Sequence, residues 1–447
     1  MYRLVANSAL LIYDRLTGRN VASCSKNLEK TQWMKREELR GLQVSKLKAL
    51  LKQAYENVPY YHRCFKENKF YPTDFKTLED LSKIPVLHRS SIRSEADRLL
   101  ARNADERKLV KWKTNGTTDV PLSFFRSRTD IGRGTAAELR SFGWGGYKIG
   151  DKAVLIHRVS PHDLGNVEDR LKLRLNRTRL FNVAYLSENY MESFCSAMQK
   201  FKPQYIISRA TPVTNILAVF LLENRRFRIS PQAVFTGGQT LLPHYRANIE
   251  NAFKCRVYDW YGSAEMSHVA SQCGFHDALH VTEENVLVEI QKDGEKAACG
   301  EEGTVLLTNL DNFAMPFIRY DVGDRGRILD DECSCGRELS LFRPIGRTRE
   351  YFVHSDGTFT IFRDVNTVFE NVPLEDFQIV QSSLDEIVIR IVRRSDYTES
   401  HSQFILNNIS PGISAVARIR IELVDSLPYT SSGKIQHIIS KIPTKYT

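Results

Sequence analysis

The sequence predicts an α/β protein, with a large N-terminal domain of βαβ-type sheets followed by a small α+β domain. Three observations carry this. From about residue 150, short apolar runs ("KAVLIH", "QYIIS", "QAVFTG") alternate with longer amphipathic segments such as 211–224. That alternation is the pattern of strands joined by crossover helices into a mostly parallel sheet. After about residue 280 the text turns strand-rich, with "NVLVEI", "GTVLLTNL" and "RGRILD" separated by turns. Beyond "RPIGRTREYF" at 343–352 come "DFQIVQ", "EIVIRIV" and "VARIRIEL", with a helical stretch between the last two. Roughly 100 residues of this kind make a small domain of their own. The expected division is 1–345 and 346–447.

Taken in order, the N-terminal "SALLIYDRL" is too short and too polar at its flanks for a secretory signal. Residues 34–57, "MKREELRGLQVSKLKALLKQAYEN", carry Leu and Ala at helical spacing, and Pro59 closes the pattern. No run approaches the roughly 18 apolar residues that a membrane-spanning helix needs. Eight cysteines scattered over 447 residues argue against a disulfide framework and for a reducing compartment. A cytoplasmic protein is expected. The 63 Lys and Arg against 53 Asp and Glu favour anionic ligands. These charges are spread along the chain without a nucleic-acid-binding signature, so a nucleic-acid partner is not expected.

Small polar loops punctuate this framework. "TNGTTDVP" at 114–121 offers backbone N–H groups and hydroxyls that suit a polyphosphate, although Asn, Gly and Thr also mark ordinary turns. "TGGQ" at 236–239, "WYGSAEM" at 260–266, "RYDVGD" at 319–324, "GRTRE" at 346–350 and "SSGK" at 431–434 follow. In "RYDVGD" Asp324 could satisfy backbone donors in a turn, Glu265 could be a helix-terminal carboxylate, and Lys434 could be a solvated surface lysine.

The six loops, in this order and spacing, resemble the adenylate-forming superfamily of acyl-activating enzymes. "LQVSKLKALLKQAYENVPYYHRCF" and "IPVLHRSSIR" further resemble its phenylacetate–CoA ligase branch, including members tied to capsular polysaccharide biosynthesis. The resemblance covers almost the whole chain. It implies an AMP-forming acid ligase. A carboxylic acid attacks the α-phosphate of ATP, pyrophosphate leaves, and coenzyme A, or in a variant an amine or sugar amine, takes the acyl group. It also implies roles. Thr114, Gly116, Thr117 and Thr118 wrap the β- and γ-phosphates, and Glu265 holds magnesium. Tyr261 stacks on adenine, with the backbone at Gly237 and Gly238 along its edge and Gly262 beside it. Asp324 accepts the ribose hydroxyls, Arg347 supports ribose and phosphate, and Lys434 is the catalytic lysine of a mobile C-terminal domain hinged near Glu350.

The chain departs from the pattern at four places. Asp119-Val120-Pro121 stands where Gly-Lys-Pro is common, Gln239 where many relatives have glutamate, and Glu350 where aspartate is usual. "VHSDGTFT" lacks the Gly-rich loop of the thioester step. The phosphate-loop change leaves room for a nucleotide-binding module of the same fold without turnover.

A second constellation is separate. Cys273 and His280 lie in "CGFHDALH", and Cys333 and Cys335 in "CSCG". Three thiolates and an imidazole can close a tetrahedral structural zinc site, with His276 a competing ligand. The alternative is four unrelated residues, since buried free cysteines are common. For the acid pocket, Trp144 or Trp260 could line an aryl-acid site, whereas His157 and Arg158 would favour a polar acid; an aromatic near a sheet is also ordinary core.

Overall fold

The structure, a computed structural model, describes residues 2–113, 122–157, 171, 173–182, 188–239, 241–275, 278–345, 351–353, 359–361, 368–369, 372–409, 417–427 and 438–442. The chain opens with helices α1 (Tyr2–Thr17), α2 (Val21–Thr31), α3 (Arg36–Asn57) and α4 (Pro59–Glu67). The leucine spacing of the 34–57 segment becomes α3, which buries Leu39, Leu47, Leu50, Leu51 and Ala54. Pro59 opens α4 at its first turn, where a missing N–H costs nothing. Short helices α5 (Arg89–Ser94) and α6 (Ala96–Leu99) lead to a hairpin, β1 (Leu109–Lys113) and β2 (Ser123–Ser127).

The long helix α7 (Arg128–Trp144) then feeds the expected alternation. It comprises β3 (Ala153–His157), β4 (Thr178–Asn182), α8 (Glu188–Phe201), β5 (Tyr205–Ser208), α9 (Thr211–Glu223), β6 (Ala233–Gly237), α10 (Pro243–Phe253) and β7 (Arg256–Ser263). Strands β4, β3, β5, β6 and β7 pair in parallel in that order. Their faces are covered by apolar side chains of the helices, with Val154, Ile206, Val234, Val257, Met198, Ile216 and Ile249 in one buried cluster.

At β7 the sheet changes character. The strands β8 (Ser267–Ser271), β9 (Leu279–Val281), β10 (Val286–Lys292), β11 (Glu295–Lys296), β12 (Gly303–Asn309), β13 (Tyr320–Leu329) and β14 (Leu341–Ile345) continue it in antiparallel fashion. The twelve strands run β11-β10-β12-β13-β14-β9-β8-β7-β6-β5-β3-β4. A second core joins this half to the N-terminal helices, through Leu47, Leu51, Phe65 and Ile92 against Val269, Val281, Leu307 and Phe342.

From residue 351 onward the described residues form sheets of their own. The pair β15 (Tyr351–Val353) and β16 (Phe359–Ile361) precedes β17 (Leu374–Ser383), β18 (Glu386–Arg393), helix α11 (Glu399–Asn408), β19 (Arg418–Leu423) and β20 (Ile438–Ser440). The last four strands pair in the order β19-β18-β17-β20. Their core, including Phe377, Ile379, Ile389, Ile391 and Ile405, draws only on residues from 352 onward.

Candidate active site and metal centre

The parallel strands end where the expected nucleotide residues lie. Gly237 closes β6 and pairs with Trp260 of β7, so both sit at the carboxyl edge of the parallel half, where open α/β sheets place their ligand crevice. The two glycines are needed there for different reasons. A Cβ on Gly237 would stand 2.4 Å from the Trp260 ring, and Gly238 has φ +90°, with a Cβ 2.8 Å from the Arg209 carbonyl. Gly262 sits at a register shift between β7 and β8, opposite His268.

The turn after β7 carries Glu265, and β13 carries Asp324 at the far side of the antiparallel half. Strands β7 and β13 are four ladder steps apart, about 19 Å in a flat sheet. Yet the Tyr261 hydroxyl donates to Asp324 Oδ2 at 2.7 Å, and the Tyr320 hydroxyl donates to Glu265 Oε1 at 2.9 Å. The antiparallel half therefore curls back on itself. The two segments interlock reciprocally. "YGSAE" and "YDVGD" each supply a tyrosine and, four residues later, a carboxylate, and each tyrosine grips the other segment's acid.

Glu265 is 4% exposed. It also lies 3.5 Å from the Arg89 guanidinium, which the sequence reading quoted within "IPVLHRSSIR" but gave no role. That segment is docked by backbone bonds, from Leu87 N–H to the Arg319 carbonyl at 3.0 Å and from Asp321 N–H to the Leu87 carbonyl at 3.0 Å. Arg319 holds a left-handed backbone, φ 51°, and donates to the Ser82 and Ile84 carbonyls and to Glu289. Strain of this kind persists where surrounding bonds over-determine it. The result delivers Tyr320 and Arg89 to one carboxylate. Burial, then the nearby Glu265 charge, drives the Tyr320 phenol well above its ordinary pKa, so it remains a donor. A single buried carboxylate fits magnesium, which keeps most of its water and takes one or two acids plus phosphate oxygens.

Trp260 is stacked on His268, with ring centroids 5.6 Å apart, and carries the Arg209 guanidinium 5.3 Å from its own centroid. Arg209 is paired in turn with Glu138 at 2.5 Å. Burial, reinforced by Arg140 and Arg209, lowers the His268 pKa to about 3, so the imidazole is neutral. Its Nε2 meets the hydroxyls of Ser141 and Ser271. Trp144 lies elsewhere, edge-on to His280 at 5.6 Å. It therefore packs beside the cysteines rather than at the carboxyl edge.

Cys273, His280, Cys333 and Cys335 converge as the cysteine spacing led one to expect. Their ligand atoms all lie within 4.8 Å of one another. Cys273 Sγ and Cys333 Sγ are 3.5 Å apart, and Cys335 Sγ is 3.4 Å from His280 Nε2. A tetrahedral zinc with ordinary bond lengths sets sulfur–sulfur edges of about 3.8 Å and sulfur–nitrogen edges of about 3.5 Å. The donor set fits. A left-handed Gly336, φ +78°, closes the Cys-x-Cys turn. Next to it the Arg337 guanidinium lies 4.6 Å from the ring centroids of both Trp33 and Trp144 and donates to Gln32. Thr114, Gly116, Thr117, Thr118, Arg158, His276, Arg347, Glu350 and Lys434 lie outside the described residues.

Comparison with known proteins shows what the chain resembles. Residues 352–441 match the CapK C-terminal domain. The chain is 28% identical over 440 residues to a phenylacetate–coenzyme A ligase of Aromatoleum evansii, covering 93% of this chain and 98% of the relative. It is 22% identical over 436 residues to Protein CapK of Staphylococcus aureus, covering 91% and 92%. Among solved structures it matches a 2-hydroxyisobutyryl-CoA ligase in complex with 2-HIB-AMP and CoA. That match has a TM-score of 0.65 and 21% identity, over 92% of this chain and 91% of the other. Over nearly its whole length the chain is similar in sequence to phenylacetate–coenzyme A ligases and to Protein CapK, and it shares the fold of the 2-hydroxyisobutyryl-CoA ligase.

Proposed function

We propose that the chain activates a carboxylic acid with ATP, releasing pyrophosphate, and passes the acyl group from the adenylate to coenzyme A. The observation that carries this reading is the reciprocal clamp of Tyr261 on Asp324 and Tyr320 on Glu265. It ties the carboxylates of Glu265 and Asp324 to the two segments that follow β7 and open β13, next to the strand that pairs with Gly237. Asp324 would take the ribose hydroxyls, and Tyr261, with Gly237, Gly238 and Gly262, the adenine. Thr114, Gly116, Thr117 and Thr118 would hold the β- and γ-phosphates, with Arg347 between ribose and phosphate.

The chemistry follows from charge. An oxygen of the acid attacks the α-phosphorus, the bond to the bridging oxygen breaks, and pyrophosphate departs with its electron pair. Both partners are anions, so the residues here must hold them together against repulsion. Magnesium bound at Glu265 would neutralise phosphate oxygens. Tyr320 and Arg89 fix the direction in which Glu265 presents its charge. The coenzyme A thiolate then attacks the acyl carbonyl and AMP leaves. We assign residues 1–345 to the body that binds ATP and acid, and 346–447 to the small domain bearing Lys434.

The test is pyrophosphate release over a panel of carboxylic acids, aryl and polar, with and without coenzyme A. Acid-dependent pyrophosphate with every preparation, and acyl-CoA only when coenzyme A is present, is expected. Nucleotide binding without pyrophosphate for any acid would sink the reading and leave a binding module.

We further assign structural zinc to Cys273, His280, Cys333 and Cys335. Four protein ligands leave no position for water, so the metal would staple the Cys333–Cys335 turn to the segment after β8 and take no part in chemistry. Protein purified without chelators is expected to carry about one zinc per chain. Cys333→Ser should lower the melting temperature more than it slows adenylation. Metal analysis finding no zinc in such protein would remove the site.

A further inference from the structure

We infer that α1 is a docking surface for an anionic lipid bilayer. The helix faces the wrong way for an ordinary surface helix. Its inner side is anchored, with Leu10 packed on the cluster of Val21, Leu28, Ala136 and Ala137 and the buried Asp14 accepting from Ala22 N–H at 2.7 Å. Its outer side is apolar. Leu4 is 73% exposed, Leu11 60%, Ile12 61% and Leu16 77%, with Val5 at 49%. At 3.6 residues per turn these five, with Ser8 and Arg15, fall on one arc of about 140°. A soluble helix normally turns its polar face outward, and a contiguous exposed apolar stripe marks a surface that something covers.

Charge decides what covers it. Residues 2–30 contain Arg15, Arg19, Lys26 and Lys30, besides Arg3, which is paired with Asp151 at 2.7 Å, against only Glu29 and the buried Asp14. Arg15 is exposed within the apolar arc itself. At the start of the helix the Arg177 guanidinium lies 4.1 Å from the Tyr2 ring centroid. The residues leading to Arg177 add Arg174 and the exposed Leu171 and Leu175. A second copy docked by two-fold symmetry would set these cations against themselves. A bilayer rich in anionic lipid neutralises them while taking up the leucines. The helix has 16 residues, so it lies in the interface plane, short of the roughly 20 needed to span. Among the described residues no helix is long and apolar enough to cross a membrane.

The experiment is co-sedimentation of the full chain with vesicles of phosphatidylcholine alone, or of equal parts phosphatidylcholine and phosphatidylglycerol. The protein is expected to pellet with the anionic vesicles, weakly with the neutral ones, and less as salt rises. The double variant Leu11→Ser, Ile12→Ser should reduce partition at least about tenfold, as expected from removing two large apolar groups. Arg15→Glu should also weaken it. Both variants should keep the wild-type melting temperature and pyrophosphate release in solution, since these side chains already face water. Equal partition of wild type and double variant, or equal binding to both vesicle types, overturns the inference. So does a dimer in light scattering that the double variant dissociates, because the face would then be an interface between copies.

Discussion

Glu265→Gln is expected to cut magnesium-dependent pyrophosphate release by about 100-fold or more while leaving the fold intact, a loss of roughly 3 kcal/mol of transition-state stabilisation. The amide has nearly the shape of the carboxylate and keeps an oxygen that can accept from the Tyr320 hydroxyl, now 2.9 Å from Oε1. What it loses is charge. A hard cation takes anionic oxygen, and magnesium gives up its water only for such ligands or for phosphate. The neighbouring Arg89, 3.5 Å away, would be left facing a neutral group. Some stability should therefore be lost, but the amide can still accept from the guanidinium. The discriminating readout is the magnesium dependence. A shift of the magnesium requirement to higher concentration, with ATP binding measured without metal unchanged, places the defect at the cation. Unchanged turnover would remove Glu265 from the site. Asp324→Asn should instead weaken nucleotide binding, because its assigned partner is the ribose.

Much of this architecture was legible in the sequence, for reasons that particular residues make plain. The leucines of α3 are spaced for one buried face, and "YIIS" and "AVFTG" are short runs that only strands buried on both faces tolerate, so local periodicity located them. The four zinc-ligand candidates were legible because Cys-x-Cys in a charged turn has few other uses. The grip of Tyr320 and Arg89 on Glu265 was not legible. It depends on the antiparallel half curling until β13 reaches β7, and on the backbone of Leu87 pairing with that of Asp321, neither of which leaves a periodic mark. Trp144 was a candidate for the acid pocket and lies instead against His280, since an indole on the last turn of a helix carries no signal of which cleft it meets. For α1 the sequence showed only that "SALLIYDRL" is too short for a secretory signal, and even a helical period would say that two faces differ and not which one is turned to solvent.

Lys434→Ala is expected to slow acyl-adenylate formation by about 100-fold or more, a loss of roughly 3 kcal/mol. The lysine lies in "SSGK", within the span that matches the CapK C-terminal domain, and well apart in sequence from Glu265 and Asp324. The described part of that span has its own sheet and its own core, with Phe377, Ile389 and Ile405 packed on one another, while Ile442 just beyond it packs against a cluster of the body. A unit with an independent core can move as a whole about a short connector without unfolding. That makes a delivered lysine physically reasonable. The reaction needs one, because a carboxylate approaching the α-phosphate is repelled, and an ammonium between the two groups relieves the repulsion at the moment it is greatest. If the lysine acts only in a closed arrangement, the variant should bind ATP nearly as the parent does. When a synthetic acyl-adenylate is supplied, transfer to coenzyme A should survive. Lys434→Arg keeps the charge but not the compact ammonium, so it should recover only part of the rate. Equal damage to adenylation and thioester formation would contradict delivery by a moving domain and indicate a defect in folding.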